Sequence, residues 1–132
     1  MSTFTWPIRV YWEDTDAGGI VFYANYLKFF ERARTEWLRS LGVHQQALKT
    51  TTGGMFVVTD TALSYKLPAR LDDALLVTTR ITQAGRASMQ LQQAVFKDEK
   101  ILLCEGTIRI GWVNAGTLQP ARIPLSVLEV LK

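Results

Sequence analysis

Carboxylates and glycines are concentrated in one short segment near the start of the 132-residue chain. The carboxylates are Glu13, Asp14 and Asp16, and the adjacent Gly18 and Gly19 follow them. A carboxylate beside apolar groups is partly desolvated, which raises its basicity and suits it to act as a general base or nucleophile. Adjacent glycines let the backbone approach a ligand closely. The same residues are also typical of a solvated acidic turn in which Asp16 only caps a helix.

The residues after the glycines are apolar and lead into a helix. They include Ile20, Val21 and Tyr23, which are costly to leave in water. The first-turn amides of a helix have no acceptor within the helix, so they are free to donate to a carbonyl oxygen of a ligand. A carboxylate and a free helix-start amide on one segment are the groups that acyl hydrolysis requires. These surroundings favour a site over a plain acidic turn.

The rest of the chain offers few other groups for catalysis. One cysteine and one histidine exclude a disulfide framework, a multi-cysteine metal site and a two-histidine metal site. Cys104 lies among apolar strand residues, so we expect a buried, inert thiol. His44 follows the long helix and is expected on the surface or in packing. Ser64 and Ser88 have no neighbouring histidine, so a serine triad has little support.

The basic residues are scattered rather than clustered. The chain has 15 Lys and Arg against 12 Asp and Glu, a net charge of +3, and it lacks the basic stripe with interleaved aromatics of nucleic-acid-binding proteins. We therefore expect no nucleic-acid partner. Mild basicity does suit a small anionic ligand such as a nucleotide phosphate. Lys66, Arg70 and Arg86 lie at predicted strand ends and are the candidates to meet phosphates.

One long helix must position the carboxylate segment. Apolar residues recur at helical spacing from Ala24 to Leu41, which predicts a helix of roughly 27 Å at about 1.5 Å per residue. Asn25 is expected to cap its start and Gly42 to end it. Before it, alternating apolar residues predict a strand from Phe4 to Glu13.

The elements after this helix are predicted strands and one short closing helix from Pro124 to Leu131. Short turns make consecutive strands antiparallel neighbours. The long helix must then bury its aromatic stripe against one face of the sheet, which gives an α+β fold. The strands span Met55–Tyr65, Leu75–Ile81, Met89–Val95 and Ile101–Val113.

Composition and patterning predict one globular domain over residues 1–132. Hydrophobic residues make up 48% and charged residues 20%, as in ordinary globular proteins. No apolar run reaches the ~18 residues of a membrane span and the amino terminus lacks a secretory signal, so we expect a cytoplasmic protein without membrane insertion. Several strands are apolar on both faces, as in the run from Met55 to Val58, and one helix cannot cover both. This predicts self-association.

Three stretches of the chain resemble the hotdog-fold acyl-CoA thioesterases. They are residues 12–26 (WEDTDAGGIVFYANY), 30–36 (FERARTE) and 65–73 (YKLPARLDD), and the resemblance extends over nearly the whole chain. The branch it resembles most is the YbgC type associated with the Tol-Pal cluster, which is related to 4-hydroxybenzoyl-CoA thioesterase. The resemblance implies a hotdog fold, in which a single antiparallel β-sheet of five or six strands wraps a long central helix.

The resemblance also implies an activity and an assembly. The expected reaction is hydrolysis of an acyl-CoA or acyl-carrier-protein thioester to a free acid and a thiol. No metal or other cofactor is expected, because CoA is part of the substrate. The expected assembly is a homodimer or homotetramer with its active sites at the dimer interface.

The motif match assigns roles within the carboxylate segment. It implies that Asp16 is catalytic, either attacking the thioester carbonyl or activating a water, and that Asp14 is structural. It places the oxyanion donor at the backbone amide of Tyr23. Many YbgC relatives carry His at this position, whereas the 4-hydroxybenzoyl branch carries Tyr. The presence of Tyr instead of His leaves the backbone donor in place and concerns the choice of substrate. Substrate binding is expected to involve Gly19, Ile20, Val21, Arg70 and Arg86.

Two other functions are compatible with the same fold class. One is a hotdog dehydratase acting on 3-hydroxyacyl chains, whose site resembles a histidine–carboxylate pair. The only histidine in this sequence, His44, lies on the wrong side of the helix for such a pair. A non-hydrolytic acyl-binding or scaffold subunit of an envelope or lipid-synthesis complex does not need a buried carboxylate, so Asp16 counts against it. Thiol release from a panel of acyl-CoA substrates distinguishes these functions.

Overall fold

The computed structural model describes residues 2–131 as one five-stranded antiparallel sheet and three α-helices, so the first and last residues of the predicted 1–132 domain lie outside it. The predicted α+β class is confirmed. The strands are β1 (Phe4–Arg9), β2 (Gly54–Tyr65), β3 (Ala74–Ala84), β4 (Ser88–Lys97) and β5 (Ile101–Asn114), and the helices are α1 (Tyr26–Ser40), α2 (Gln45–Thr52) and α3 (Leu125–Leu131).

The long helix α1 carries the apolar stripe that the sequence predicts. Phe29, Phe30 and Ala33 are fully buried, because helical spacing places them on the face that packs against the sheet. The helix ends as predicted just before Gly42, whose φ of 83° favours glycine. It begins two residues later than predicted, because residues 23–25 form a separate 3-10 turn. No helix among residues 2–131 has the length and apolar character needed to cross a membrane.

The strand order in the sheet is β1-β3-β4-β5-β2. The pairs β3–β4 and β4–β5 confirm that short turns join antiparallel neighbours. The same prediction is wrong for β2 and β3, which are not neighbours in the sheet. The eight residues 66–73 connect β2, at one edge, to β3, which is second from the opposite edge. We call residues 66–73 the crossing loop. It passes beside the carboxylate segment, where Val10 N donates to Asp73 O at 3.0 Å and Val21 N donates to Ala69 O at 2.9 Å.

Two further predictions about the elements are wrong. The first strand ends at Arg9 rather than Glu13, because Val10 bonds to the crossing loop and residues 12–14 form a 3-10 turn. The helix α2 occupies residues where the pattern predicts no helix. Its sequence, QQALKTTT, is largely polar and none of its residues is buried, so apolar periodicity gives no signal there.

The two outer strands of the sheet differ from each other. β2 has 12 residues and β1 has six, and no described strand pairs with the outer edge of either. The apolar run Met55–Val58 lies in β2, where its residues are half-buried or exposed, with 48% of Val58 accessible. The apolar surface that the sequence predicts is therefore present at one edge of the sheet.

Candidate active site

Asp16 lies at the base of a tight turn. Its backbone N donates to Ile20 O at 2.9 Å, and its carbonyl accepts from Gly19 N at 3.0 Å. The φ of Gly19 is 79°, a conformation that glycine adopts without steric cost. The carboxylate Oδ1 accepts from Gly18 N at 2.8 Å, and Oδ2 has no protein partner among residues 2–131. The turn therefore holds one free carboxylate oxygen in a defined position.

The two aspartates of the motif have opposite environments. Asp14 is 3% exposed, whereas Asp16 is exposed in the single chain. The expectation of a partly desolvated carboxylate is therefore met by Asp14 and not by Asp16 within one chain. Asp14 accepts from Tyr11 N and from Asn25 Nδ2, each at 2.8 Å, which agrees with a structural role. Asn25 makes this contact in place of the predicted side-chain cap of α1.

The 3-10 turn Tyr23–Asn25 carries the amide that the motif match assigns as oxyanion donor. Neighbouring amides are occupied, because Phe22 N donates to Asp14 O at 3.0 Å and Asn25 N donates to Phe22 O at 2.8 Å. The amides of Tyr23 and Ala24 have no acceptor in the part of the chain that the structure describes. Free backbone donors and the free Asp16 oxygen thus belong to the same short segment.

A pocket of about 270 Å³ opens beside this turn. The hydroxyl of Tyr65 donates to Tyr23 O at 2.9 Å, and that of Tyr26 accepts from Ala69 N at 3.2 Å. Burial raises the pKa of Tyr26 and of Tyr65 above the usual 10.0, so both hydroxyls are protonated at neutral pH. The walls are mostly apolar or aromatic, which suits an apolar group. Lining residues besides the tyrosines are Ile20, Val21, Lys66, Leu67 and Pro68.

The structure brings one of the two predicted phosphate-binding arginines to this segment. Ile20 forms a β-bridge with Arg70, whose side chain is exposed. Asp73 fixes this part of the crossing loop by accepting from Arg70 N at 2.8 Å and pairing with Lys97 at 3.3 Å. One end of β3 adjoins the crossing loop, and Arg86 follows the opposite end. The 11 residues of β3 span roughly 33 Å at a rise of ~3.3 Å per residue. Arg86 is therefore not brought to the other candidates within one chain.

Other residues that the sequence singles out take no part in this site. His44 is exposed at the start of α2, as expected. Cys104 is fully buried, as expected, and burial raises the pKa of its thiol to about 12, which favours the unreactive thiol form at neutral pH. Ser88 Oγ accepts from Arg109 Nη2 at 3.1 Å and has no histidine partner among the described residues. Within residues 2–131, no group of three or more His, Cys, Asp or Glu is placed to hold a metal ion.

Tyr65 contributes to the site, although nothing in the sequence assigns it a role. It is the last residue of β2, and its side chain reaches a carbonyl 42 positions earlier in the chain. Neither spacing nor composition signals a contact at such a separation. The only available signal is the motif match over residues 65–73, which points to the segment without assigning a function to any side chain in it.

The wrapping of one long helix by a five-stranded antiparallel sheet is the hotdog architecture, which confirms the predicted fold. A family model described as the thioesterase-like superfamily matches residues 10–131. Among solved structures, a 1,4-dihydroxy-2-naphthoyl-CoA thioesterase from Synechocystis has a TM-score of 0.89 at 24% identity, covering 98% of this chain and 96% of its own. At that identity the likeness establishes the fold alone.

Two bacterial proteins are more similar in sequence and match along nearly their whole length. The acyl-CoA thioester hydrolase YbgC of Escherichia coli O6:H1 is 42% identical over 129 residues, 98% of this chain and 96% of its own. The acyl-CoA thioesterase YbgC of Haemophilus influenzae is 41% identical over 124 residues, 94% of this chain and 90% of its own. The chain belongs to the thioesterase-like superfamily, and within it to the YbgC thioesterase family.

Proposed function

We propose that this protein hydrolyses acyl-CoA thioesters to a free acid and CoA. Membership of the YbgC thioesterase family supports the reaction class. One observation carries the assignment of the site: a free oxygen of Asp16 and the free amide of Tyr23 share a short segment beside an apolar pocket. Acyl hydrolysis needs a group that attacks or activates water and a donor for the charge that develops on oxygen.

In the proposed reaction, the Tyr23 amide donates to the thioester carbonyl oxygen and stabilises its negative charge in the transition state. Asp16 acts by one of two routes. As a nucleophile it attacks the carbonyl carbon, the C–S bond breaks, CoA leaves as a thiolate, and water hydrolyses the resulting anhydride. As a general base it takes a proton from a water that attacks the same carbon. Both routes consume one water and yield one acid and one thiol.

We propose that the substrate lies along the turn formed by Gly19, Ile20 and Val21, with its acyl group in the adjoining pocket. Arg70 adjoins Ile20 and is exposed, so it is available to a CoA phosphate. Arg86 lies at the other end of the sheet, so a contact between Arg86 and CoA requires the site of another subunit. An acyl-carrier-protein thioester presents the same reacting bond and is a second proposed substrate.

We propose that the protein forms a homodimer through the free edge of β2, and that dimers can pair into a tetramer. A long unpaired strand is a template for pairing with another chain, and the 12 residues of β2 exceed the six of β1. β1 also contains Pro7, which has no N–H. Residues 56–58 of the apolar run in β2, together with helix α1, border a pocket of about 230 Å³ that a second copy would cover. The partner would also shield Asp16 from water.

Three expectations accompany this proposal: a cytoplasmic location, the absence of a cofactor, and an association with the Tol-Pal cluster. Each stays a prediction. The alternative of a non-hydrolytic acyl-binding or scaffold subunit uses the same pocket but makes no use of the free Asp16 oxygen or of the free Tyr23 amide. It also predicts a different outcome in the assay that follows.

Thiol release from a panel of acyl-CoA substrates, followed with a thiol reagent, tests the proposal. Asp16→Asn keeps the side-chain size and removes the base, so kcat on the best substrate should fall about 10²–10⁴-fold. Glu13→Gln is the matched control, because Glu13 is an exposed carboxylate in the same segment, and it should keep the wild-type kcat. Saturable acyl-CoA binding without thiol release would support the scaffold alternative. Undiminished turnover by Asp16→Asn would contradict the site.

A further inference from the structure

We infer that Tyr65 is a positioning residue for the hydrolysis proposed above: its hydroxyl holds the backbone turn that carries the oxyanion donor. The inference rests on the proposed function, because it assigns Tyr65 a part in that reaction. The hydroxyl of Tyr65 donates to the carbonyl oxygen of Tyr23 at 2.9 Å. Tyr23 is the first residue of the 3-10 turn, and its own amide is the free donor.

Apart from bonds to helix α1, the other hydrogen bonds of residues 22–25 within the described range run to each other and to Asp14, and none of them reaches a strand. The Tyr23 side chain is 64% exposed, and its ring lies 4.8 Å from that of Phe22 and 6.3 Å from that of Tyr65, measured between centroids. The hydrogen bond from Asn25 N to Phe22 O closes the turn without connecting it to the sheet. The Tyr65 hydroxyl therefore connects the start of the turn to the end of a strand.

Tyr65 itself is firmly anchored. It pairs with Cys104 in the register of β2 and β5. The next two amides, those of Lys66 and Leu67, both donate to Leu103 O, at 2.8 and 3.1 Å. The ring of Tyr65 also packs edge-on against that of Tyr26, with the centroids 5.6 Å apart. A side chain held this way can fix the orientation of the group it binds.

The orientation of the turn matters because its carbonyls and amides point in opposite directions along the axis. A donor that holds the Tyr23 carbonyl at one end keeps the amides of Tyr23 and Ala24 directed outward at the other. An oxyanion donor must reach the developing charge at about 2.7–3.1 Å. Without the Tyr65 hydroxyl the turn can rotate, and the donor is misdirected for part of the time. Such a loss lowers kcat and leaves substrate binding largely unchanged.

Tyr65→Phe tests the inference, because it removes the hydroxyl and keeps the ring in the pocket wall. We expect kcat to fall about 5- to 10-fold while KM stays within about twofold of wild type. Tyr11→Phe is the matched control, since Tyr11 is exposed and its hydroxyl has no partner within the described range. It should keep the wild-type kcat. Incorporation of para-aminophenylalanine at position 65, whose amine donates from the same place, should recover most of the lost kcat.

Hydrogen exchange of the Asn25 amide provides a readout that does not depend on activity, because this amide closes the turn. Tyr65→Phe should speed its exchange about fivefold while core amides of α1 are unaffected. An unchanged kcat overturns the inference whatever the exchange shows. A fall in kcat with unchanged exchange also overturns it, because the hydroxyl would then act on the substrate directly. Absence of thiol release by the wild-type protein, by contrast, overturns the proposed function and with it any catalytic part for Tyr65.

Discussion

Replacing Asp14 by alanine removes the acceptor that joins the two ends of the carboxylate segment. Its carboxylate receives hydrogen bonds from Tyr11 N, before the segment, and from Asn25 Nδ2, at the start of the helix. Replacing Asp16, two positions later, removes a single bond from Gly18 N at an exposed site. We therefore expect Asp14 to determine stability and Asp16 to determine activity.

The hydrogen bonds set the size of the expected effect. A hydrogen bond to a charged group contributes about 1.5–3 kcal/mol, and Asn25, which is 6% exposed, has little access to replacement water. Loss of both bonds in Asp14→Ala should lower the free energy of unfolding by about 3–5 kcal/mol, which corresponds to a Tm lower by about 10–20 °C for a domain of this size. Asp16→Ala should lower it by only about 0.5 kcal/mol.

Urea unfolding followed by tryptophan fluorescence, together with calorimetric Tm values, measures these differences. All variants must be compared at one protein concentration, because the proposed dimerisation would make Tm concentration-dependent. Asp14→Asn keeps one acceptor oxygen and should fall between Asp14→Ala and wild type. A Tm of Asp14→Ala within about 2 °C of wild type, or an Asp16→Ala variant destabilised as strongly as Asp14→Ala, would contradict these two roles.

Two further predictions concern the buried thiol and the sheet edge. The Cys104 thiol ionises near pH 9 in the unfolded chain and only near 12 in the folded one, so the free energy of unfolding should fall as pH rises through that window, by about 2 kcal/mol at pH 10.5. Urea unfolding at pH 8 and 10.5 checks this, and a fall of the same size in Cys104→Ala would contradict it. Val58→Lys places a charge at the proposed β2 junction, so light scattering should detect 14.9 kDa monomers and kcat should fall more than about tenfold. A monomer that keeps wild-type turnover would rule out a site shared between subunits.

The regular elements of the fold could be predicted because burial leaves a periodic pattern in the sequence. Phe29, Phe30 and Ala33 mark α1 through their helical spacing, whereas strands such as β3 are marked by a two-residue alternation of buried and less buried positions. The helix α2 could not be predicted, because none of its residues is buried and Leu48 is the only large apolar residue in its sequence. The sequence also does not show that β2 and β3 are separated in the sheet. This separation depends on the path of the crossing loop, and a loop of eight residues is compatible with a hairpin as well as a crossover.

The sequence predicts which segment forms the candidate site, but residue chemistry does not predict which of its aspartates is buried. Asp14 and Asp16 are chemically identical, and only the three-dimensional partners of Asp14 show that it is the buried one. The resemblance to a family separated the two aspartates where residue chemistry could not. The contact of Tyr65 with Tyr23 could not be predicted from the sequence, because it joins the end of a strand to a turn 42 residues away.

In the proposed dimer, the difference in length between the two edge strands would limit how far the sheet can extend. If two copies join through β2, the continuous ten-stranded ribbon ends in β1 on both sides. β1 is six residues long and contains a proline, so it is a poor template for a third chain. Growth in the plane of the sheet therefore terminates at two protomers, and any larger particle must form by stacking finished pairs. In the proposed dimer, the short strand β1 would therefore oppose edge-to-edge fibre formation.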